Sequence, residues 1–222
     1  MEKLKVTLPG ENNFAIQEAY KFLRTNIQFC GANIKVIMLT SCYENEGKST
    51  VSLSLAKSFA ELGKKVLLID ADMRRSVFAG RNLNIKKYQG LSELLSGMVD
   101  IRACLNQTEV EGLFVLLAGK YPPNPVELLG GEEFGKVLSS CRKVFDYIII
   151  DSPPLGVVSD AAVIAPKCDG TILVVGKSKI NYGMAMGVVE QLRNSQTPLL
   201  GAIRNHVHHT GSNGKEYSYS YS

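Results

Sequence analysis

The sequence predicts an α/β protein of three layers, α/β/α, in which a mainly parallel sheet is covered by helices on both faces. Two observations predict it. Aliphatic runs of strand length recur along the chain, near-continuous rather than alternating, as in strands buried on both sides. Segments of helical length separate the runs, which makes successive strands parallel. With 222 residues the chain suits one large domain over residues 1–205, followed by a tail over 206–222.

Residues 1–13 read as a polar lead-in. From Phe14 the apolar residues return at helical spacing, giving a helix over about 14–28 whose Glu18, Lys21 and Arg24 fall three apart on one side. By charge pattern alone these three form a solvated face. The run Val36-Ile37-Met38-Leu39 is the first strand, and a helix runs from Ser49 to Leu62, stopping at Gly63. Lys65–Ile69 is the second strand. Residues 76–112 are mixed, with a short helix at 91–97, and Leu113–Leu117 is the next strand. Pro122 and Pro123 hold an extended loop, Pro125 starts a helix, and residues 132–144 make another. The strands ending at Ile150, Val175 and Ile203, with a helix over 182–194, complete the sheet and its cover.

The chemistry centres on Thr40-Ser41-Cys42-Tyr43-Glu44-Asn45-Glu46-Gly47-Lys48-Ser49-Thr50, between the first strand and its helix. Strand, loop, then Gly-Lys-Ser-Thr on a helix N-terminus is the layout of a phosphate-binding loop, so the fold class is that of the P-loop NTPases. Glu46, Gly47, Lys48, Ser49 and Thr50 are the expected nucleotide contacts. Lys48 would lie along the β- and γ-phosphates, and Ser49 would hold Mg²⁺. Cys42 stands where the usual pattern has a further Gly.

Asp70 and Asp72 leave the second strand on the same side, at the edge where open α/β sheets bind ligands. Read alone they are equally well turn residues at a strand end. Ile148-Ile149-Ile150-Asp151 brings a third carboxylate to that edge in a Walker B pattern, expected to hold Mg²⁺.

The tail is poor in aliphatics and rich in Gly, Ser and Asn, so it is expected to be flexible, with a reach of roughly 50 Å. Tyr217, Tyr219 and Tyr221 end it, either as aromatics of a solvated tail or with a purpose. His206, His208 and His209 lack carboxylate or cysteine partners nearby and read poorly as a metal site. The five cysteines are scattered without Cys-x-x-Cys spacing, which favours reduced thiols in a cytosol. The formal charge of +4 is small, no stretch forms a basic, aromatic-interleaved groove, and no nucleic acid is expected. The first residues lack the apolar core of a signal peptide, and no run approaches the roughly 18 apolar residues of a membrane span. Membrane association is expected only through a partner.

Together these pieces resemble the bacterial tyrosine kinases of capsule and exopolysaccharide synthesis, over nearly the whole chain. The resemblance rests on Glu18-Ala19-Tyr20-Lys21-Phe22-Leu23-Arg24, Glu46–Thr50, Leu68-Ile69-Asp70-Ala71-Asp72-Met73-Arg74, Pro122–Leu129, Ile148–Pro154 and the terminal tyrosines. It implies ATP and Mg²⁺ as cofactors, Asp70 as base for the incoming tyrosine, Asp72 as a second holder of Mg²⁺ beside Ser49 and Asp151, and Asn205 at the adenine. It further implies that Glu18, Lys21 and Arg24 knit subunits into a homo-oligomeric ring, with Lys21 in place of the family's Arg. The tail tyrosines become phosphoacceptors. A transmembrane chain-length adaptor that activates the kinase, protein tyrosine substrates, a cognate phosphatase and a cytoplasmic place at the inner membrane face complete the expectation. Relatives carry Pro-Gly where Glu44-Asn45 stands, so Asn45 is expected to take the left-handed turn and Glu44 to point away from the phosphates. The rival readings are a ParA- or MinD-like ATPase, whose additional loop lysine is here Tyr43, and an ATP-binding scaffold without kinase activity.

Overall fold

The aliphatic runs form the centre of a seven-stranded sheet in the computed structural model, which describes residues 3–83, 85, 88–176 and 182–206. In chain order the strands are β1 (Val36–Ser41), β2 (Val66–Asp70), β3 (Leu105–Gln107), β4 (Leu113–Leu116), β5 (Tyr147–Asp151), β6 (Gly170–Val175) and β7 (Leu199–Arg204). Their spatial order is β3-β4-β2-β5-β1-β6-β7, with β3 antiparallel to β4 and every other neighbouring pair parallel. β1, flanked by β5 and β6, lies inside the sheet, so the loop that follows it opens between two neighbouring strand ends.

The helices are α1 (Phe14–Phe29), α2 (Lys48–Ala60), α3 (Leu91–Leu95), α4 (Ile101–Cys104), α5 (Pro125–Gly130), α6 (Glu132–Cys141), α7 (Asp160–Ile164) and α8 (Tyr182–Asn194). Alternate strand residues feed two separate cores, as the two-residue period of a strand requires. Ile37, Leu39, Leu68 and Ile149 pack under α1 and α2 with Ile27, Leu55 and Phe59. Val36, Met38, Ile69 and Ile150 pack on the other face with Leu129, Phe134, Leu138 and Leu192, from α5, α6 and α8. The expected three layers are therefore present.

Local chemistry sets the helix ends. Asn13 caps α1, its Oδ1 accepting from Ala15 N at 2.9 Å. α2 ends at Ala60, two residues short of the expectation, and Gly63 takes a left-handed φ of +77° just beyond. The helix expected over 132–144 stops at Cys141. The region over 76–112 contains more order than its composition suggested: β3 and α4 lie within it. The lead-in, expected to be merely polar, lies along that added edge. Leu4 N donates to Gln107 O, Glu109 N donates to Leu4 O, each at 2.9 Å, and Val6 is buried.

Candidate active site

A cavity of about 250 Å³ opens at the C-terminal end of the sheet, between the β1–α2 loop, the segment after β2 and the segment after β5. Glu46, Gly47, Lys48, Ser49, Thr50 and Asp72 of the expected site line it. Asn45 has a φ of +62°, so it makes the left-handed turn expected of it. Gly47 is also left-handed, at +81°, and a Cβ there would collide with the side-chain amide of Asn205. Two demands, backbone and space, thus require glycine at this position.

Asp151 is the electrostatic hub. Lys48 Nζ donates to its Oδ1 at 2.9 Å and Ser49 Oγ to its Oδ2 at 2.7 Å. Ser52 Oγ, one helical turn after Lys48, lies 3.1 Å from Oδ1. The side chains of Lys48 and Asp151 are 9% and 1% exposed, so each charge depends on the other for compensation. Ser52 is a site residue that the loop motif does not name, although its i+4 spacing from Lys48 puts it on the same face of α2.

Asp70 stands opposite Asp151 in the β2–β5 register and is fully buried. Burial, then the charge of Asp151, pushes its carboxyl up to about 8, against the opposing pull of Ser76 and Lys48. Ser76 Oγ donates to Asp70 Oδ2, and Asp72 N to Oδ1 at 3.2 Å. Asp70 therefore lies behind the cavity wall rather than in it, whereas Asp72 lines it. Burial also raises Asp72, and its Oδ1 accepts from Arg75 N at 2.9 Å.

Glu46, expected at the nucleotide, has its carboxylate turned into the fold. Oε2 accepts from Cys42 N at 2.8 Å and Tyr43 N at 2.9 Å, and Oε1 accepts from Gly176 N at 3.0 Å. Asn205 Nδ2 donates to Glu46 O at 3.0 Å, so the expected adenine partner is already engaged on the loop. Cys42 is buried, and burial with the nearby Glu46 charge pushes its thiol up to about 11, leaving it unreactive. His206, assigned to the tail by sequence, lines the cavity instead.

Further residues complete the wall. Arg74 Nε lies 3.0 and 3.1 Å from the two oxygens of Asp160, which is fully buried in the first turn of α7. Arg75 pairs with Glu44, and both line the cavity. The expected interface trio divides: Lys21 pairs with Glu18 at 2.7 Å on the surface, while Arg24 turns inward and donates to Ser58 O of α2. Tyr217, Tyr219, Tyr221, His208 and His209 lie outside the described residues.

The donors at the cavity are hard oxygens, the type a magnesium ion takes: the Ser49 hydroxyl and the Asp72 carboxylate line it, and the Asp151 carboxylate stands behind them, bonded to Ser49 and Lys48. With a lysine and a loop of backbone N–H groups beside it, the site can bind the phosphates of a nucleotide and place an acidic group next to them.

The pattern of a family described as an AAA domain matches residues 34–197. The tyrosine-protein kinase CpsD of Streptococcus agalactiae is 43% identical over 201 residues, spanning 90% of this chain and 88% of that protein. Among solved structures, the kinase domain of Escherichia coli tyrosine kinase ETK superposes with a TM-score of 0.87 at 29% identity, covering 99% of this chain and 87% of that one. The septum site-determining protein MinD of Pyrococcus horikoshii, complexed with Mg-ADP, superposes at 0.65 with 23% identity over 77% of this chain and 70% of that one, a likeness of fold alone. A nucleotide-type loop with its three carboxylates, on a chain this close to named kinases, leads to one conclusion: the chain belongs to the bacterial tyrosine-protein kinase family, built on a nucleotide-binding P-loop fold.

Proposed function

We propose that the protein transfers the γ-phosphoryl group of ATP to tyrosine hydroxyls, first those of Tyr217, Tyr219 and Tyr221, in the control of capsular or exopolysaccharide synthesis. One observation carries the reading: Lys48 and Ser49, which line one cavity with Asp72, converge on Asp151 behind its wall. Lys48 leaves Asp151 for the phosphate oxygens as nucleotide enters. Ser49, Asp72 and Asp151 would hold Mg²⁺, which would spread the charge of the transferring group. The bond from the γ-phosphorus to the bridging oxygen breaks, a bond to the tyrosine oxygen forms, and ADP departs.

The phenol has a pKa near 10 and needs an acceptor for its proton. Asp70, mostly protonated at neutral pH while held at about 8, would take it once the cations that come with nucleotide draw its value down and Ser76 releases the carboxylate. Asn205, already at the loop, borders the base of the nucleotide.

The reading extends to assembly. Phe14, Phe22 and Phe29 are exposed on α1, within about 80° of one another around its axis, and supply apolar area for a second copy beside Glu18 and Lys21. Each tail is then phosphorylated by a neighbour in a ring. Three phosphotyrosines add roughly −4.5 to −6 of charge, enough to drive the tail from an acidic site and loosen the ring. A transmembrane adaptor brings the kinase to the inner membrane face and activates it, and a phosphatase resets the tail.

Incubation with ATP and Mg²⁺ followed by phosphosite mapping tests the proposal in the wild type, Lys48→Met and a variant with all three tail tyrosines changed to Phe. Tail label that requires Lys48 is the expected result. ADP release without label would instead favour a plain ATPase, and neither product a scaffold.

A further inference from the structure

Three strong cations line the phosphate cavity, Lys48, Arg74 and Arg75, and each rests on a carboxylate: Asp151, Asp160 and Glu44 respectively. The three pairs differ in how readily they exchange. Asp151 and Asp160 are 1% and 0% exposed at their side chains, so removing the cation from either strands a buried charge. Glu44 and Arg75 are 46% and 73% exposed, and an ion pair of that kind contributes little in water.

The location gives this weak pair a consequence. Glu44 belongs to the β1–α2 loop and Arg75 to the segment after β2, so their contact bridges two walls of the same cavity. The backbone N–H of Arg75 is anchored on Asp72, which keeps its guanidinium on the acidic side where phosphoryl transfer is placed. A triphosphate arriving there repels Glu44 and attracts Arg75, and both effects act in the same direction. A guanidinium can grip phosphate oxygens at two points, whereas Arg75 meets Glu44 through Nη1 and one carboxylate oxygen.

We propose that the Glu44–Arg75 pair is a strap across the cavity mouth that nucleotide displaces, and that the released Arg75 binds the terminal phosphate, separating ATP from ADP. This rests on the reading of the cavity as a nucleotide site. Glu44 is then the residue that lowers affinity in the empty state, by holding Arg75 and by its own charge.

The test is equilibrium binding of a non-hydrolysable ATP analogue and of ADP, each with Mg²⁺, to the full chain in four forms: wild type, Glu44→Gln, Arg75→Gln and the double variant. Both substituted side chains are at the surface, and melting curves check that folding is unchanged. Glu44→Gln should tighten the ATP analogue about three- to tenfold, and Arg75→Gln should weaken it about tenfold while changing ADP less than about threefold. The double variant should remain about fivefold or more weaker than Glu44→Gln alone. A double variant equal to Glu44→Gln would show that Arg75 only neutralises Glu44 and would overturn the inference, as would equal losses for ATP analogue and ADP. If the wild type binds neither nucleotide, the cavity reading fails with it; if it binds both and Arg75→Gln changes nothing, the strap alone fails.

Discussion

Asp169 and Asp70 sit at opposite ends of the same sheet and meet opposite treatment. Asp169, just before β6, accepts from Lys35 N at 2.9 Å and Val36 N at 2.7 Å, and Arg142 grips both its oxygens at 2.8 Å. Burial pushes its carboxyl up, but Arg142 and the two N–H groups outweigh burial and hold it below the ordinary range. Asp70 has only Ser76 and one backbone N–H, faces Asp151 across the strand pair, and is driven to about 8. The lower end of the sheet resolves its charges within the chain. At the upper end Asp70 faces Asp151 with no cation of its own among the described residues, as in a site whose missing counter-charge arrives with its ligand.

That contrast can be broken from either end. The largest effect should come from Asp151→Asn, which removes the shared partner of Lys48, Ser49 and Ser52: initial rates of tail phosphorylation should fall about 100-fold or more while circular dichroism is unchanged. An unaltered rate would erase the distinction between the ends. Next is Asp169→Ala, which strands Arg142 and two backbone donors and should lower unfolding free energy by about 2–3 kcal/mol, read as a shifted denaturant midpoint at constant slope, with kcat/KM retained by the folded protein.

Asp70→Asn should act in the reverse sense, stabilising the nucleotide-free protein by about 1–2 kcal/mol at pH 7.5 while abolishing transfer. The folded value of about 8 lies above the unfolded value near 4, so the favourable contribution of Asp70 is complete below about pH 4 and is lost as pH rises toward 8. Melting temperatures across that window should fall in the wild type and stay flatter in the variant; parallel curves would refute the buried proton. The smallest effect belongs to Ser76→Ala. Losing a hydroxyl that lowers Asp70 should steepen the same decline by a few tenths of a kcal/mol, and no change would mean that Ser76 does not hold the carboxylate.

The legible parts of the molecule were those written locally. Continuous aliphatic runs announce β1, β2, β4, β5 and β6 because both faces of each strand are covered, and Pro125 announces α5 because its ring fits a first helical turn. Asn45 was readable as a left-handed residue for the same local reason. β3 was not, being three residues of mixed polarity whose pairing depends on β4 and on Leu4. At the site, the acidic residues were readable by strand register, but their partners were not. Asp160 reaches Arg74 across 86 positions of chain, and Glu46 reaches Gly176 across 130. Glu46 looks like a loop residue for ligand and serves as an internal acceptor; Arg24 looks like an interface charge and ties α1 to α2. Spacing alone does not distinguish these uses, because the deciding partner lies on another element.

The many bonds of Glu46 carry a kinetic consequence. A single residue fastens Cys42, Tyr43, Gly176 and, through its carbonyl, Asn205. The β1–α2 loop is thereby ordered before any ligand arrives, so association need not wait for a segment to fold. What must yield is the surface pair Glu44–Arg75, whose rotamer changes take picoseconds to nanoseconds, and then the inner contact of Lys48 with Asp151, neither of which needs backbone folding. Capture of nucleotide should therefore proceed by side-chain exchange alone, with no loop-folding step in its kinetics.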